Sequence, residues 1–177
     1  MELQADQVIT EQMMRLLRDK FASNTRQASV SGIHLTMLIY CITRAYWQDK
    51  LDLTPTDNDV LYWAAGLGLE EVLMRGEDKI SKLPPAIVDG IMVSPDYLLV
   101  STGSLAELKT TRMHFKQGEE LILAKWPETW IEQMMGYACA YNRLEYHLVT
   151  FLLIPAKLIG VKFIFTADEL DAFWKRM

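Results

Sequence analysis

Two acidic residues and a lysine have the types and the spacing of a site for phosphate chemistry. Ser94-Pro95-Asp96 is followed by ten residues and then by Glu107-Leu108-Lys109. Carboxylate oxygens are the ligands that hard cations such as Mg²⁺ prefer, and a bound cation polarises a phosphate and acidifies a water. A neighbouring ammonium can orient that water or stabilise charge that develops on the phosphate. The three side chains therefore predict metal-dependent hydrolysis of phosphodiester bonds.

A β-hairpin is the element that would bring these side chains together. Residues 91–100 are apolar and rich in β-forming types, residues 101–104 form a turn cluster, and residues 105–111 make the predicted return strand.

Alternation along the return strand decides which side chains share a face. Glu107 and Lys109 are two residues apart, so they are expected on one face, with Leu108 pointing into the core. The short hairpin is expected to place Asp96 beside that pair.

The rest of the chain alternates between helical and strand patterns. Helices are predicted over about residues 6–20, 35–47, 56–75 and 127–142, strands over about 146–154 and 158–165, and a last helix after the capping box Thr166-Ala167-Asp168-Glu169. This order indicates an α/β (α+β) fold with a mixed central β-sheet flanked by helices.

Length and hydropathy predict one domain without a membrane span. The chain has 177 residues, half of them hydrophobic, so we expect a single domain over residues 1–177 with an N-terminal helical segment over about 1–50. Residues 1–19 are charged and lack the apolar region of a signal peptide. The apolar run 147–165 is interrupted by Pro155, Gly160 and two lysines, which predicts strands rather than a membrane helix.

Charge and cysteine content narrow the function classes further. The net charge of −5 argues against a general nucleic-acid coating protein, which would be basic, but it does not exclude a nuclease with metal-binding acids. The two cysteines, Cys41 and Cys139, are too few for a disulfide scaffold, which favours a reducing compartment.

The Asp96, Glu107 and Lys109 set resembles the signature of the PD-(D/E)XK nuclease superfamily. Glu-x-Lys alone is weak, because the chain has a second one, Glu77-Asp78-Lys79, with no Pro-Asp before it. The longer combination on a predicted hairpin is much more specific. From the residues alone, the alternative is a surface hairpin with a solvated Glu–Lys pair.

A glycine and an acid on the helix before the hairpin extend the resemblance to the RecB-like and lambda-exonuclease-like (YqaJ-like) branch. Members carry Gly, three residues, and then Glu or His at this place, and that residue completes the metal site. Gly66 and Glu70 have this spacing, and the adjacent Glu71 would serve if the helix were rotated. The alternative is that both acids are solvated.

Two further pairs of residues are candidates for contacts with the substrate. RecB-like nucleases have Gln, three residues, and Tyr on the helix after the hairpin, where the pair helps to position the substrate strand; here these are Gln133 and Tyr137, which share one helix face. The alternative is that Tyr137 belongs to the core. Arg112 follows the predicted return strand, and with Thr110 near the end of that strand it either contacts phosphates or lies in a solvated loop.

The segment from Ser31 to Cys41 and Arg44 resembles an N-terminal segment of RecB-like nucleases. In some of these the cysteine ligates an iron–sulfur cluster, with three more cysteines near the C-terminus. This chain has no C-terminal cysteines, and Cys139 lies within the Gln–Tyr helix. We therefore predict no iron–sulfur cluster.

The resemblance covers about residues 29–153 and implies a restriction-endonuclease-like core with a divalent-metal-dependent deoxyribonuclease activity. It implies Mg²⁺ or Mn²⁺ bound by Glu70, Asp96, Glu107 and the Leu108 backbone carbonyl, with Lys109 acting on the attacking water.

The same resemblance implies a biological setting. An exonuclease in phage recombination, repair or defence is expected, acting on single- or double-stranded DNA in the cytoplasm of a bacterial or phage-infected cell, with recombination or defence proteins as further partners. A homo-oligomer is left open, and no membrane partner is expected. The alternative function is a catalytically weak or inactive nuclease-fold module for DNA binding or assembly. The acidic charge favours this alternative, and the intact set of two acids and a lysine argues against it.

Overall fold

The computed structural model describes residues 11–19, 32–40, 42–51, 56–75, 78–112, 126–154 and 156–177. The ends of the predicted N-terminal helix over residues 6–20 and the predictions on Ser31 and Cys41 lie outside these ranges.

The described residues form helices and strands in the mixed order that the sequence predicts. The elements are α1 (residues 11–19), β1 (Ile33–His34), α2 (Leu35–Tyr40), α3 (Ile42–Leu51), α4 (Asp57–Met74), β2 (Ile80–Ser81), β3 (Ala86–Val88), β4 (Ile91–Val93), β5 (Tyr97–Leu99), β6 (Ser104–Thr111), α5 (Glu128–Ala140), β7 (Glu145–Leu152), β8 (Lys157–Ile164) and α6 (Ala167–Arg176).

Mixed sheets flanked by helices confirm the predicted α+β fold class. In the described part of the chain, β2, β5, β6, β7 and β8 form a five-stranded sheet in that order, and β1, β4 and β3 form a three-stranded one. The central strand β6 pairs antiparallel with β5 and parallel with β7, and β8 closes the sheet antiparallel to β7.

Helix boundaries follow from side-chain caps that the sequence carries. Thr56 and Asp59 form a reciprocal capping box at the start of α4, and Thr166 and Glu169 form the predicted one at the start of α6. Each box satisfies backbone N–H groups that have no partner within the helix. In addition, Arg18 of α1 forms an ion pair with the first residue of α4.

The prediction that residues 91–100 form the first strand of a hairpin is wrong in one respect. Residues 91–100 are not one strand: β4 pairs with β1 and β3, and β5 pairs with β2 and β6, so the two halves lie in different sheets. Pro95 lies in the break between them. Proline has no N–H for a ladder and restricts the residue before it, so the chain changes direction at this point. Asp96 therefore stands at a bend rather than within a strand.

A second hairpin, β3–β4, was not predicted from the sequence. Its two strands are joined by Asp89 and Gly90, which have φ of 51° and 81°. A two-residue hairpin loop with positive φ at both positions is the type I′ turn, for which Asp-Gly is a preferred sequence.

The expectation that Leu108, on the face opposite to Glu107, is the side chain that points into the core is also wrong. Glu107 is 2% exposed, whereas Leu108 is partly exposed. The physical reason is that β6 is covered on both faces. Gln133 of α5 contacts the Glu107 face, and Gly66 of α4 lies over Thr110 on the opposite face.

The core lies between the five-stranded sheet and α5, with α2 and α6 at its edges. Its largest cluster of buried residues consists of Leu35, Val93, Leu105, Trp126, Met134, Tyr137, Ala138, Tyr146, Leu148, Phe165 and Leu170. Gly136 allows α2 to approach α5 closely, because a Cβ at this position would lie 2.3 Å from Cδ2 of Leu35.

The apolar run over residues 147–165 forms β7 and β8, as predicted. In the described ranges no helix combines the length and the hydropathy that crossing a membrane requires.

Candidate active site

The bend after Pro95 fixes the first acid against the central strand. The Asp96 Oδ2 atom accepts the backbone N–H of Leu108 over 2.8 Å. Burial raises the pKa of Asp96, and this hydrogen bond opposes the increase only in part. The second carboxylate oxygen, Oδ1, is left for another ligand.

Glu107 and Lys109 lie on the same face of β6, as the alternation predicts. The Lys109 Nζ atom donates to Glu107 Oε1 over 2.7 Å, and the lysine side chain is 18% exposed. Burial lowers the pKa of Lys109, but the charge and the hydrogen bond of Glu107 more than offset this, so the pKa is raised and the lysine stays protonated.

An amide on α5 completes a hydrogen-bonded cluster around this pair. Gln133 Oε1 accepts from Lys109 Nζ over 2.8 Å, and Gln133 Nε2 donates to Glu107 Oε1 over 2.8 Å. The same nitrogen donates to the Tyr137 hydroxyl over 2.9 Å, so Gln133 and Tyr137 share one helix face as predicted. Gln133 thus locks the orientations of the carboxylate and the ammonium together.

The other oxygen of Glu107, Oε2, is also buried, in a carboxylate that lies near the Tyr146 hydroxyl and the Asp96 backbone N–H. Glu107 Oε2 has no hydrogen-bond partner among the described residues. Burial raises the pKa of Glu107 to about 7, with Asp96 adding to the increase and Lys109 opposing it. An unpaired carboxylate oxygen in such a place is costly, and a positive ligand would remove the cost.

The structure turns Glu70 and Glu71 of α4 in different directions. The Glu70 side chain is 23% exposed. Its charge adds to the increase in the pKa of Asp96 that burial mainly causes, so Glu70 lies on the side of α4 that faces Asp96. The Glu71 side chain is 71% exposed and pairs with Arg75 over 2.8 Å. The Glu70 Oε1 atom is bonded to Lys82 Nζ over 2.9 Å, and among the described residues Glu70 does not form a metal-binding group of three with Asp96 and Glu107.

Thr110 and Arg112 are not brought to the cluster. Thr110 lies on the α4 face of β6, opposite to Lys109, and its hydroxyl is buried without a partner among the described residues. The Arg112 guanidinium lies 4.4 Å from the centre of the Tyr62 ring, a cation–π contact with α4.

Sequence reasoning missed two residues at the site. Tyr146 is fully buried on β7 opposite Leu105, on the Glu107 face, and burial followed by the charge of Glu107 raises its pKa. The period-2 alternation of β7 would have indicated that this side chain faces inward. Lys82 lies just after β2, and nothing in the local sequence indicates its contact with Glu70.

The donor set at Asp96 and Glu107 fits a hard divalent cation. The Asp96 and Glu107 carboxylates are close enough for their charges to interact, and each has one oxygen without a hydrogen bond from the part of the chain that the structure describes. Oxygen donors of this kind suit Mg²⁺ or Mn²⁺, and Mg²⁺ is commonly held by one or two carboxylates. Among the residues that the structure describes, no group of three or more acids, histidines or cysteines is arranged to hold a metal.

Comparison with known proteins gives a likeness in fold. No protein-family model and no curated protein sequence matches the chain. Crystal structures of an alkaline exonuclease (LHK-Exo) from Laribacter hongkongensis, one of them in complex with dAMP, give TM-scores of 0.46 and 0.45 at 14% identity, over 82% of this chain and 87% of theirs. The crystal structure of SSO0001 gives a TM-score of 0.56 at 17% identity, over 95% of this chain and 84% of that one. This chain is therefore similar to SSO0001 in fold.

Proposed function

We propose that this chain hydrolyses phosphodiester bonds of DNA with a divalent cation bound at Asp96 and Glu107. One observation carries the proposal: Glu107 is buried with Oε1 bonded to Lys109 and Gln133, and with Oε2 unpaired among the described residues beside a second raised-pKa acid. A structural ion pair would need only the first oxygen.

The proposed ligands are Asp96, Glu107 and the Leu108 backbone carbonyl, with Glu70 as a further acid. When bound, Mg²⁺ or Mn²⁺ would supply a Lewis acid for the phosphate and a more acidic water. The chain itself contributes fixed geometry, because the Leu108 N–H holds Asp96 and the Gln133 amide holds Glu107.

Lys109 is the proposed group that acts on the attacking water or on the phosphate. Its ammonium has two anchors, Glu107 and Gln133, and among the described residues its third N–H has no acceptor, so that it can contact a substrate. Held in this way, it loses little conformational freedom when the substrate binds. Gln133 and Tyr137 act as positioning residues in this proposal.

DNA as the substrate and an exonuclease as the class rest on the resemblance of the motif spacing to PD-(D/E)XK nucleases. The products expected are 5′-phosphate and 3′-hydroxyl ends. Phage recombination, repair or defence is the setting proposed for the activity, in the cytoplasm of a bacterial or infected cell.

Cleavage of end-labelled DNA tests the proposal. Single- and double-stranded substrates are incubated with the purified chain in Mg²⁺, Mn²⁺ or EDTA, with a Glu107→Gln preparation purified in parallel to detect contaminating nuclease. We expect cleavage by the wild type with either cation. Equal cleavage in EDTA, or by both preparations, would reject the proposal.

One observation favours the alternative, an inactive nuclease-fold module that binds DNA. Glu70 is occupied by Lys82 instead of joining Asp96 and Glu107. DNA binding that is indifferent to Mn²⁺, without cleavage of any substrate, would support this alternative.

A further inference from the structure

Lys82 pairs with Glu70 and lies close enough to Asp96 for the two charges to interact. It follows β2, whose Ser81 pairs with Leu98 of β5, so it lies alongside the strand that begins next to Asp96. From there its Nζ atom reaches Glu70 Oε1 on α4 at 2.9 Å. Lys82 therefore links the α4 acid to the edge of the sheet that carries Asp96.

Two acids of the proposed metal site, Glu70 and Asp96, are close enough to Lys82 for their charges to act on it. The hydrogen bond with Glu70 and the charges of Glu70 and Asp96 raise the pKa of Lys82, against a smaller opposing effect of burial. The Lys82 side chain is 61% exposed, whereas that of Glu70 is 23% exposed. The lysine can thus move away into solvent, while the glutamate stays at the mouth of the site.

We propose that Lys82 holds Glu70 in the metal-free protein and has to release it when a cation binds, so that Lys82 weakens cation binding at the site. The inference rests on the proposed function, because it takes Glu70 as a ligand that joins Asp96 and Glu107 only in the cation-bound state. Lys82 is a positioning residue in this account, since it acts through Glu70.

The size of the effect follows from the exposure of the ion pair. A largely exposed pair is a weak competitor, so its removal is expected to strengthen cation binding by only about two- to fivefold. A change of this size is measurable by calorimetric titration with Mn²⁺.

The first experiment compares Mn²⁺ affinities of four full-length proteins. Lys82→Met removes the competing ammonium and should bind Mn²⁺ about two- to fivefold more tightly than the wild type. Lys82→Arg keeps the pair and should match the wild type. Lys175→Met is the matched control, because Lys175 pairs with Asp171 over 2.6 Å on α6, away from the acids, and loses the same charge.

The second experiment separates release of Glu70 from a general loss of positive charge. In a Glu70→Gln background there is no carboxylate to release, so Lys82→Met should raise the Mn²⁺ affinity less than it does in the wild-type background, by the direct effect of the Lys82 charge on Asp96 alone. An equal gain in both backgrounds would overturn the inference. If Glu70→Gln binds no Mn²⁺, the comparison of the wild type with Lys82→Met, Lys82→Arg and Lys175→Met decides whether Lys82 weakens Mn²⁺ binding.

The outcomes distinguish this inference from the proposed function. Mn²⁺ binding of equal strength by the wild type and by Lys82→Met overturns the inference and leaves the metal site standing. No Mn²⁺ binding by the wild type contradicts the metal site itself, and the inference falls with it.

Discussion

The Asp96 carboxylate accepts the backbone N–H of Leu108 over 2.8 Å, which ties the bend between β4 and β5 to the central strand β6. Because the donor is a backbone group, the position of Asp96 depends on the ladder of the sheet rather than on a neighbouring side chain. One oxygen of this acid has a structural role, and we propose the other as a ligand of the cation.

Asp96→Asn should separate these two roles. The amide oxygen of asparagine can still accept from Leu108, so we expect a folded protein, while DNA cleavage falls at least about 100-fold because the charge is lost. Circular dichroism and the cleavage rate measure the two effects, with Asp168→Asn in the exposed first turn of α6 as the matched control. Unfolding of Asp96→Asn would show that Asp96 is mainly structural.

The stability of the metal-free protein should fall as the pH rises through the titration of Glu107. Its pKa is raised from 4.5 to about 7 by burial, so between these values the folded state binds more protons than the unfolded state. The free energy of unfolding therefore decreases across this window, by up to about 3 kcal/mol at 1.36 kcal/mol per pKa unit. Above about pH 7 the contribution is constant.

Glu107→Gln is the variant that reports this effect, because it cannot titrate. In EDTA, urea unfolding should show its stability advantage over the wild type growing by about 1–3 kcal/mol between pH 5 and pH 7.5. Glu128→Gln, at the exposed start of α5, controls for the chemical change. A difference between wild type and Glu107→Gln that does not vary with pH would contradict the buried, unpaired carboxylate.

Lys109→Ala should slow DNA cleavage by about 100-fold or more, in keeping with the loss of a group that acts on the transition state. Mn²⁺ affinity should hold or rise slightly, since a positive charge beside Glu107 is removed. Lys79→Ala, in the second Glu-x-Lys of the chain, is the control. Full activity of Lys109→Ala would reject its role, and loss of Mn²⁺ binding would mean that Lys109 mainly holds Glu107 in place.

Two glycine substitutions should have opposite effects on stability. A Cβ at Gly136 would lie 2.3 Å and 2.9 Å from the two Cδ atoms of Leu35, so Gly136→Ala is expected to destabilise the fold by about 1–3 kcal/mol. A Cβ at Gly68 on α4 meets nothing within 4 Å, so Gly68→Ala should stabilise by about 0.5–1 kcal/mol. Urea unfolding compares them, and equal stabilities would contradict the close approach of α2 to α5.

The features that the sequence predicted correctly are local ones. The capping box at Thr166 and Glu169 depends on four consecutive residues, and the shared face of Glu107 and Lys109 depends only on alternation along β6. The spacing of Gln133 and Tyr137 on one helix face is of the same kind. Each is decided within one turn of helix or one strand.

The features that were missed depend on long-range pairing. Pro95 lies where the predicted strand over residues 91–100 is interrupted. The assignment of β4 and β5 to different sheets depends on their pairing with β1, β3 and β6. The burial of Glu107 depends on α5, whose Gln133 lies 26 residues further along the chain. The contact of Lys82 with Glu70 depends on the pairing of β2 with β5. A strand of two residues is too short to produce a recognisable sequence pattern, so this pairing could not be predicted.

The most direct test of the account follows Mn²⁺ binding and DNA cleavage in the same preparations of wild type and Glu107→Gln. We expect the wild type to bind Mn²⁺ and to cleave DNA over the same range of Mn²⁺ concentration. We expect Glu107→Gln, whose fold is checked by circular dichroism, to do neither. Cleavage by Glu107→Gln at the wild-type rate, or wild-type cleavage that persists in excess EDTA, would contradict a cation-dependent site at Asp96 and Glu107.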